Sequence, residues 1–493
     1  MSVILAYDFG ASSGRAMLGR LTDRRIELEE IHRFPNDPVQ VGGRLHWDIL
    51  RLYHEVKQGL LKTKHRGIVP DSLGIDSWAV DFGFIGADGG LLGNPYHYRD
   101  SHTDGMMERL FAEAVPARTL FARTGIQFLP FNSIFQLYAL KQAGSPLLAQ
   151  ARRWLMIPDL LRYFLTGEMY HEFSNATTTQ LFNPLTGDWD RELLERLGLP
   201  ASWFGKVLQP GSPAGVLQAS VREELDVGAI PVIAVAEHDT GSAVAAVPAT
   251  EKSFAYLSCG TWSLLGTEVD RPVMGDEARE FNFTNEGGVG GTYRLLKNIM
   301  GLWLLQESRR EWEREGQSYS FPELVALAEK AEAFAAAVDP DDPAFLPPGD
   351  MPARIRAYCE RTGQRPPDSV GAIVRCILES LALKYRYVLE LTERLSAQRF
   401  NGLHMVGGGI HNALLCQWTA SALGKPVWAG PAEGSALGNL AVQWIAGGAF
   451  RDIREARQVI RDSIEVKEYL PQTDGLWEEA YGRFLSITGL PSA

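Results

Sequence analysis

The chain has 493 residues, of which 45% are hydrophobic and 22% are charged, so it is long enough for two domains with separate cores. Its 48 Lys and Arg against 60 Asp and Glu leave a net charge of −12, which argues against nucleic acid or an anionic membrane as a partner. The four cysteines form no C-x-x-C pair, and neither a basic, apolar leader nor a run of membrane-spanning length is present, so a cytoplasmic protein is expected.

The first part of the chain predicts a meander of three strands followed by a helix. Residues 3–7 are a continuous apolar run that ends at a glycine-rich turn. The predicted order is strand, strand, strand, helix and strand, over residues 3–7, 15–21, 26–32, 47 onward and 71–84, with a polar interruption of the last strand at Asp76-Ser77. In the helix Leu50, Tyr53, Val56 and Leu60 fall on one face. A plain dinucleotide-binding fold alternates strand and helix from its start, so this order argues against that fold.

A second strand, glycine turn and strand begins at residue 254. Ala255-Tyr256 precedes its turn as Ala6-Tyr7 precedes the first one, which is consistent with internal duplication. The pattern then predicts a helix, a strand, a helix, a strand and a helix, over residues 371–397, 403–406, 412 onward, 426–429 and 436 onward. Pro248-Ala249-Thr250 separates the two halves, so we expect an N-terminal domain over residues 1–247 and a C-terminal domain over residues 248–493.

The turn after the first strand, Asp8-Phe9-Gly10-Ala11-Ser12-Ser13-Gly14-Arg15, has the composition of a phosphate-binding loop. Small residues let the backbone approach a ligand, and successive N–H groups with two hydroxyls can cradle phosphate. Arg15 would add positive charge, and Asp8 could hold Mg²⁺ through water. An ordinary hairpin turn fits the same residues. Gly10-x-Ser12-x-Gly14 also matches a hydrolase nucleophile elbow, but that elbow needs a helix directly after the serine, and a strand is predicted here.

Two glycine turns in the second half are further ligand-binding candidates. Ser258-Cys259-Gly260-Thr261-Trp262-Ser263 could bind phosphate, and Val406-Gly407-Gly408-Gly409-Ile410-His411-Asn412 could seat an adenosine between a strand and a helix. Each could equally be a tight turn. The second fails as a dinucleotide fingerprint, because Asn412 stands where the last glycine of G-x-G-x-x-G belongs. The sequence contains neither a Walker motif nor the set of protein-kinase motifs.

Two acidic segments in the first half could act on a hydroxyl-bearing substrate. In Ala236-Glu237-His238-Asp239-Thr240-Gly241, which follows an apolar strand, the Asp could take a proton from a hydroxyl that attacks phosphorus. The alternative is that Asp239 caps the next helix and that His238 is a packed core residue. Asp76-Ser77-Trp78-Ala79-Val80-Asp81-Phe82 combines an indole face with two carboxylates, as a sugar site would. Its alternative is a solvated strand edge.

Taken together, these motifs resemble the FGGY carbohydrate kinases over nearly the whole chain. The first turn, Gly260-Thr261 and Gly407-Gly408-Gly409 match the two phosphate loops and the adenosine loop of that family, and Asp239 matches its catalytic base. Residues 185–190 match a further family landmark. The resemblance implies an α/β fold of two actin-like, ribonuclease-H-like domains with a cleft between them.

Four longer runs, residues 8–15, 125–132, 175–181 and 297–306, are similar to the family members that phosphorylate L-rhamnulose. This similarity implies transfer of phosphate from ATP, with Mg²⁺, to the C1 hydroxyl of L-rhamnulose. Another ketose such as L-fuculose is the alternative. By the resemblance the sugar-binding residues are Ala79, His238, Asp239, Thr240 and Asn298, to which the acidic segment adds Asp81. The ATP-binding residues are expected to be Ala11, Ser12, Ser13, Gly14, Arg15, Thr261, Gln306, Gly407 and Gly408.

Two positions depart from the family pattern, and two other classes of protein share part of it. Gln136 stands where many members carry Lys, and Ala79 stands where Gly is common among those that act on L-rhamnulose. An actin- or chaperone-like ATPase would share the phosphate loops but would not need the His238-Asp239 pair. A sugar-binding regulator without catalysis would not need Asp8 and Asp239 intact.

Overall fold

The structure is a computed structural model that describes residues 2–472 and 475–491. Its strands are β1 (Ser2–Phe9), β2 (Ser13–Thr22), β3 (Arg25–Pro35), β4 (Val39–Val41), β5 (Arg44–His46), β6 (Leu73–Ser77), β7 (Phe82–Ile85), β8 (Arg153–Met156), β9 (His171–Glu172), β10 (Phe182–Asn183), β11 (Asp188–Trp189), β12 (Val207–Leu208), β13 (Ser212–Val216), β14 (Pro231–Ala234), β15 (Ala255–Cys259), β16 (Trp262–Val269), β17 (Thr284–Gly287), β18 (Tyr293–Met300), β19 (Leu403–Val406), β20 (Val427–Ala429) and β21 (Lys467–Tyr469).

The α-helices are α1 (Ile49–His65), α2 (Met106–Glu113), α3 (Ala117–Thr124), α4 (Ser133–Gln142), α5 (Pro146–Gln150), α6 (Ile157–Thr166), α7 (Phe173–Ala176), α8 (Arg191–Leu197), α9 (Ala219–Leu225), α10 (Asp239–Ala245), α11 (Asp276–Glu280), α12 (Trp303–Arg314), α13 (Phe321–Lys330), α14 (Met351–Arg361), α15 (Val370–Ser396), α16 (Ala413–Leu423), α17 (Gly434–Ala446), α18 (Ile453–Ser463) and α19 (Leu476–Thr488). Short 3-10 helices cover Ser101–Thr103, Thr177–Thr179, Ala201–Trp203, Pro343–Phe345 and Gly408–His411. Among the helices of the described residues, none is both long and apolar enough to cross a bilayer.

The chain divides into two compact units. The first runs to Thr250 and then takes in Glu268–Leu295 and Gly434–Ile464. The second consists of Glu251–Thr267, Leu296–Glu433 and the described residues from Glu465 onward. The chain therefore leaves the first unit close to residue 247 and returns to it twice, and the simple domain limits 1–247 and 248–493 stay a prediction.

The first unit is built on a six-stranded sheet in the order β13-β14-β6-β1-β2-β3. β1, β2 and β3 form an antiparallel meander, whereas β1, β6 and β14 run parallel to one another. A strand buried on both faces needs apolar side chains throughout, and β1 meets this need with Ile4, Leu5, Ala6 and Tyr7, all of which are buried. The predicted opening meander is confirmed.

Six strands of the second sheet, which has seven strands and starts at β17, repeat this arrangement. β15 is antiparallel to β16 and parallel to β19, and β19 is parallel to β20. β18 lies beside β16 as β3 lies beside β2, and β21 closes the far edge antiparallel to β20 as β13 does beside β14. The duplication that the two Ala-Tyr hairpins indicated is therefore present in the sheet topology, and the mixed α/β, ribonuclease-H-like class is confirmed.

Two local predictions need correction. Leu50, expected on the packing face of α1, is 59% exposed; the buried stripe instead starts one residue earlier, at Ile49, and continues through Leu52, Val56 and Leu60. The segment 71–84, expected to be one strand with a polar interruption at Asp76-Ser77, forms β6 and β7, which belong to different sheets. The break falls at residues 78–81, where the chain turns after the end of β6.

Candidate functional site

Strands of the first unit bring three aspartates to one edge of their sheet. β1 and β6 pair Asp8 with Asp76. One residue further on, Ser77 forms a parallel bridge to His238, which follows β14. In open α/β sheets, ligand sites lie at the carboxyl ends of the parallel strands. Asp8, Asp76 and Asp239 therefore meet at the edge where a ligand site is expected.

Asp239 is the first residue of α10, and 28% of its side chain is exposed. The N-cap is His238, so the alternative in which Asp239 itself caps the helix is wrong. Asp239 Oδ1 accepts the backbone N–H of Thr240 at 2.6 Å and the Thr240 hydroxyl at 3.2 Å. Burial raises the pKa of Asp239; His238 lowers it, the charge of Asp8 raises it, and the Thr240 hydrogen bonds lower it. The pKa stays raised on balance, which makes Asp239 a stronger base than an ordinary aspartate.

Asp8 and Asp76 are held by different partners. Arg15 donates to Asp8 Oδ2 through Nε at 3.0 Å and Nη2 at 2.7 Å, so its charge is already paired with a carboxylate. Asp76 is completely buried, and its Oδ2 accepts Asn439 Nδ2 at 2.6 Å. Burial and then the charge of Asp8 raise the pKa of Asp76 well above its usual value. Its Oδ1 has no hydrogen-bond partner in the part of the chain that the structure describes.

This set of oxygens fits a magnesium ion held largely by water and phosphate. Among residues 2–472 and 475–491, no three His, Cys, Asp or Glu side chains form a direct metal cage. Mg²⁺ commonly keeps several waters and uses only one or two carboxylates together with substrate phosphates. The charge of Asp8 raises the pKa of both Asp76 and Asp239, so a cation nearby would relieve this repulsion.

The first candidate phosphate loop presents its central residues to solvent. Ser12 is exposed and Ala11 and Ser13 are partly exposed. Gly14 is buried, and a Cβ at that position would lie 2.2 Å from the ring of Phe34. Packing of β2 against β3 thus accounts for a glycine at position 14. Ala11, Ser12 and Ser13 remain accessible to a ligand.

Asp81 holds two indoles in place. Its Oδ2 accepts Trp47 Nε1 at 2.6 Å, Trp78 Nε1 at 3.0 Å and the Tyr98 backbone N–H at 3.2 Å, and its Oδ1 accepts Gln136 Nε2 at 2.8 Å. The Trp47 and Trp78 ring centroids lie 4.1 Å apart. Burial raises the pKa of Asp81 to about 7, against the lowering effect of these hydrogen bonds. Because the carboxylate is completely buried, it shapes this segment from within, and its direct contact with sugar stays a prediction.

His238 is held by two charged residues that the sequence analysis did not identify. Arg294 Nη2 lies 3.2 Å from His238 Nδ1 in hydrogen-bonding geometry, and Glu286 Oε2 lies 3.1 Å from the same nitrogen. His238 Nε2 lies 3.4 Å from Asp239 Oδ1. Arg294 is completely buried on β18, which also carries the buried Lys297, so a charge within this strand does not by itself mark Arg294 as a functional residue.

A second buried ionic group supports the same segment from behind. Arg162 donates to Glu237 Oε1 at 3.0 Å and to Asp159 Oδ1 at 2.7 Å. Glu172 Oε2 accepts the Glu237 backbone N–H at 3.1 Å, and Ser174 Oγ accepts the His238 backbone N–H at 3.1 Å. Burial raises the pKa of Glu172 to about 7, although hydrogen bonds oppose the shift. These contacts fix the backbone that presents Asp239.

In the second unit, the structure brings together two residues expected at ATP. Thr261 Oγ1 donates to Gln306 Oε1 at 3.1 Å. The Thr261 carbonyl accepts the backbone N–H groups of Gly301 and Trp303, both at 3.1 Å, at the start of α12. The turn between β15 and β16 is therefore fixed to the helix that carries Gln306.

The three glycines after β19 have different surroundings. Gly407 has a φ of +88°, and a Cβ at Gly409 would lie 2.2 Å from Cys259 Sγ. A Cβ at Gly408 would meet no atom within 4 Å, and Gly408 is exposed. Gly409 is thus needed for packing, whereas the backbone of Gly408 is open to a ligand.

Of the residues expected to contact the sugar, Asn298 alone lies in the second unit. It is partly exposed on β18, after the chain passes from the first unit to the second between Leu295 and Leu296. Ala79, Asp81 and His238 all belong to the first unit.

Family models match both halves of the chain. The N-terminal domain of the FGGY family of carbohydrate kinases matches residues 3–246, and the C-terminal domain of that family matches residues 255–447. A Bacteroides thetaiotaomicron protein named rhamnulokinase is 48% identical over 479 residues, which covers 97% of this chain and 98% of that protein. A Halalkalibacterium halodurans protein of the same name is 43% identical over 470 residues, which covers 95% of this chain and 99% of that protein.

Solved structures share the fold over the whole length. A ligand-bound xylulose kinase from Lactobacillus acidophilus has a TM-score of 0.81 at 17% identity and covers 99% of this chain and 98% of its own. A Plasmodium falciparum glycerol kinase with ADP has a TM-score of 0.77 at 16% identity and covers 100% of this chain and 99% of its own. At these identities the likeness establishes the fold.

Proposed function

Because the chain belongs to the FGGY family of carbohydrate kinases, we propose that it transfers the γ-phosphoryl group of ATP to the C1 hydroxyl of L-rhamnulose. The products are L-rhamnulose 1-phosphate and ADP. Relatives named rhamnulokinase match nearly the full chain at 43–48% identity, which supports this sugar over other ketoses. We expect the enzyme to work in the cytoplasm, where ATP is supplied.

The observation that carries the chemistry is the environment of Asp239. Among the described residues, the hydrogen bonds and close ion pair of Asp239 fall on Oδ1, which leaves Oδ2 for the proton of the C1 hydroxyl. Its raised pKa brings the base closer to the pH at which the enzyme works. As the proton leaves, the C1 oxygen attacks the γ-phosphorus and ADP departs, so no covalent enzyme intermediate is needed.

The sugar is oriented by the residues around Asp239. His238 and Thr240 flank the base and offer polar groups to neighbouring hydroxyls, and Ala79 contacts the sugar through its backbone. Asp81 acts through the indoles that it fixes in place. Asn298 offers a side-chain amide as a further sugar contact. Such positioning of two reactants supplies much of the rate enhancement in phosphoryl transfer.

The nucleotide is held by small residues and one threonine–glutamine pair. Ala11, Ser12 and Ser13 offer backbone N–H groups and hydroxyls to phosphate oxygens, with Gly14 and Arg15 completing the loop. Thr261 and Gln306 bind phosphate or ribose oxygens, and Gly407 and Gly408 let the adenosine approach the backbone. Asp8 would hold Mg²⁺ through water, where the ion supplies neutralisation of the phosphate charge.

A sugar panel in a coupled ADP-release assay tests the proposal. L-Rhamnulose should give the highest kcat/KM, and L-fuculose should be clearly poorer, because an epimer leaves buried polar groups unpaired. L-Fructose, which carries one extra hydroxyl on the methyl carbon, should retain measurable activity. D-Xylulose and glycerol should be very poor. If L-fuculose or D-xylulose ranks above L-rhamnulose, the assigned sugar is wrong while the kinase activity stands.

A further inference from the structure

The guanidinium of Arg294 faces one ring nitrogen of His238. Arg294 is completely buried on β18, and its Nε donates to the Gly287 carbonyl at 2.9 Å, which fixes the guanidinium against β17. Its Nη2 lies 3.2 Å from His238 Nδ1 in hydrogen-bonding geometry. A guanidinium has N–H donors but no acceptor and stays charged in proteins. His238 Nδ1 is therefore the acceptor in this contact.

The contact with Arg294 determines the state of both ring nitrogens of His238. In a neutral imidazole one nitrogen carries the proton and the other accepts, and the hydrogen bond of one nitrogen decides the state of the other. Because Nδ1 accepts, the ring proton of His238 is on Nε2. Nε2 lies 3.4 Å from Asp239 Oδ1. The Nε2–H group presents its positive end to that oxygen, whereas an unprotonated Nε2 would set a lone pair against it.

Glu286 balances the charge of Arg294 beside His238. Its Oε2 lies 3.1 Å from Arg294 Nη2 and 3.1 Å from His238 Nδ1, and only 5% of its side chain is exposed. The imidazole therefore faces an ion pair whose two charges cancel. Without the guanidinium, the carboxylate of Glu286 would face Nδ1 and would accept a proton from it. The two residues thus favour opposite tautomers of His238.

We propose that Arg294 is a positioning residue, which holds the proton of His238 on Nε2 and thereby orients the carboxylate of Asp239. This inference rests on the proposed function, in which Asp239 is the base. The Nε2–H group and the donors of Thr240 then all face Oδ1, so Oδ2 stays available to the C1 hydroxyl. All four residues belong to the first unit. A displacement of about 1 Å in a reacting group can cost on the order of 10²-fold in rate.

The test measures the tautomer of His238 in the full-length protein without substrate. Long-range proton–nitrogen correlation NMR of protein isotopically labelled at its histidines distinguishes a protonated ring nitrogen from an unprotonated one. His238→Gln identifies the signals of this residue by their loss. At about pH 8, above the usual histidine pKa of about 6.5, the wild type should carry its proton on Nε2. In Arg294→Met the proton should move to Nδ1, where Glu286 accepts it.

Turnover and a control variant separate positioning from loss of stability. In Arg294→Met, kcat for L-rhamnulose should fall about 10- to 100-fold while the KM for ATP stays the same, because the base is no longer oriented. Arg457→Met is the matched control, since Arg457 is also buried in the first unit and pairs with Glu268. That variant loses a buried charge but keeps the contact between Arg294 and His238. It should keep the wild-type tautomer and the wild-type kcat per folded enzyme.

The tautomer decides the outcome. A wild-type proton on Nδ1, protons on both nitrogens, or the same tautomer in the wild type and Arg294→Met would overturn the proposal. If Arg294→Met does not fold, Glu286→Gln combined with Arg294→Met removes both charges, and Nε2 should then no longer hold the proton alone. An unchanged Nε2–H group in that protein would also overturn the role of Arg294. A wild type with the expected tautomer but no turnover of L-rhamnulose would instead refute the proposed function.

Discussion

The two sheets share one order over six strands, but the residues at the ends of those strands differ in chemistry. Where β1 and β6 pair Asp8 with Asp76, the equivalent β15 and β19 pair Ser258 with Val406. At the first edge, burial and the charge of Asp8 raise the pKa of Asp76 and of Asp239. The second edge offers small residues and open backbone, with Gly408 at its exposed point. Topology fixes where a ligand can bind, and the residues placed there decide what happens to it.

We therefore expect proton removal only at the first edge, which also shares in phosphate binding through residues 11–15, and nucleotide binding alone at the second edge. Carboxylates with raised pKa values suit the removal of a proton from a hydroxyl. Small residues and glycines suit close approach of a backbone to phosphate and ribose. Substitutions at the two edges should therefore fail in different ways.

The largest effect is expected from removal of the carboxylate base. Asp239→Asn should lower kcat about 10²–10⁴-fold, because the amide cannot accept the C1 proton. Sugar affinity, measured by calorimetry without nucleotide, should remain. Asp226→Asn is the matched control, since Asp226 lies on the surface of the same unit and its carboxylate pairs with Lys64. Near wild-type turnover of Asp239→Asn would reduce Asp239 to a structural residue.

Substitutions of two neighbouring glycines at the second edge can separate packing from ATP binding. Gly409→Ala should lower the free energy of unfolding by about 1–3 kcal/mol, because the new Cβ would overlap Cys259. Gly408→Ala should fold normally and raise the KM for ATP. Urea unfolding and ATP titrations of both variants check this. Equal stability of the two, or an ATP effect confined to Gly409→Ala, would contradict the assigned roles.

The buried Asp81 should give the first unit a measurable pH dependence. Its pKa of about 7 in the folded protein lies above the usual value of 3.8, so the folded state keeps a proton that the unfolded state has released. The contribution of the protonated Asp81 to the free energy of unfolding is fully present below the pKa of the unfolded state. It is lost as the pH rises toward 7, by up to about 1.4 kcal/mol per pH unit. Asp81→Asn lacks this titration. The stability advantage of the wild type over the variant should therefore shrink between pH 5 and pH 7, whereas parallel curves would be evidence against the raised pKa.

The smallest effect is expected at the threonine of the second phosphate turn. Thr261→Ala should raise the KM for ATP roughly 3- to 10-fold, which is what loss of one hydrogen-bonding hydroxyl supports. Thr261→Ser keeps the hydroxyl and should retain most of the affinity. Sugar affinity in the absence of nucleotide should be the same in all three proteins. A large loss of sugar affinity in Thr261→Ala would contradict the prediction that this residue of the second edge affects ATP binding only.

Local patterns predicted much of the fold. Apolar runs and glycine turns located both hairpins, the long helix α15 and the strand β19, because each signal lies within a few residues. Leu50 was misplaced because two adjacent apolar residues both fit the helical spacing, and only packing against the sheet selects Ile49. The return of α17 and α18 to the first unit depends on contacts between residues hundreds of positions apart, which no local pattern contains.

The sequence predicted the motifs of the candidate site but not the residues that hold those motifs in place. Asp8, Asp239 and the glycine turns stand at strand ends that the sequence pattern reveals. Glu286 and Arg294 meet His238 across about fifty residues, and such contacts leave no trace in spacing. The backbone of Val80 between β6 and β7 is equally hidden, since its φ of +66° is normally signalled by glycine or asparagine and here the residue is valine.

The most direct measurement is the structure of the product formed from L-rhamnulose and ATP. Phosphorus–proton correlation NMR of the reaction mixture should show one new phosphate monoester coupled to the two C1 protons of the sugar, in an amount equal to the ADP released. The Asp239→Asn enzyme at the same concentration should form almost none. ADP release without a sugar phosphate, or a phosphate coupled to protons on another carbon, would contradict phosphorylation of the C1 hydroxyl.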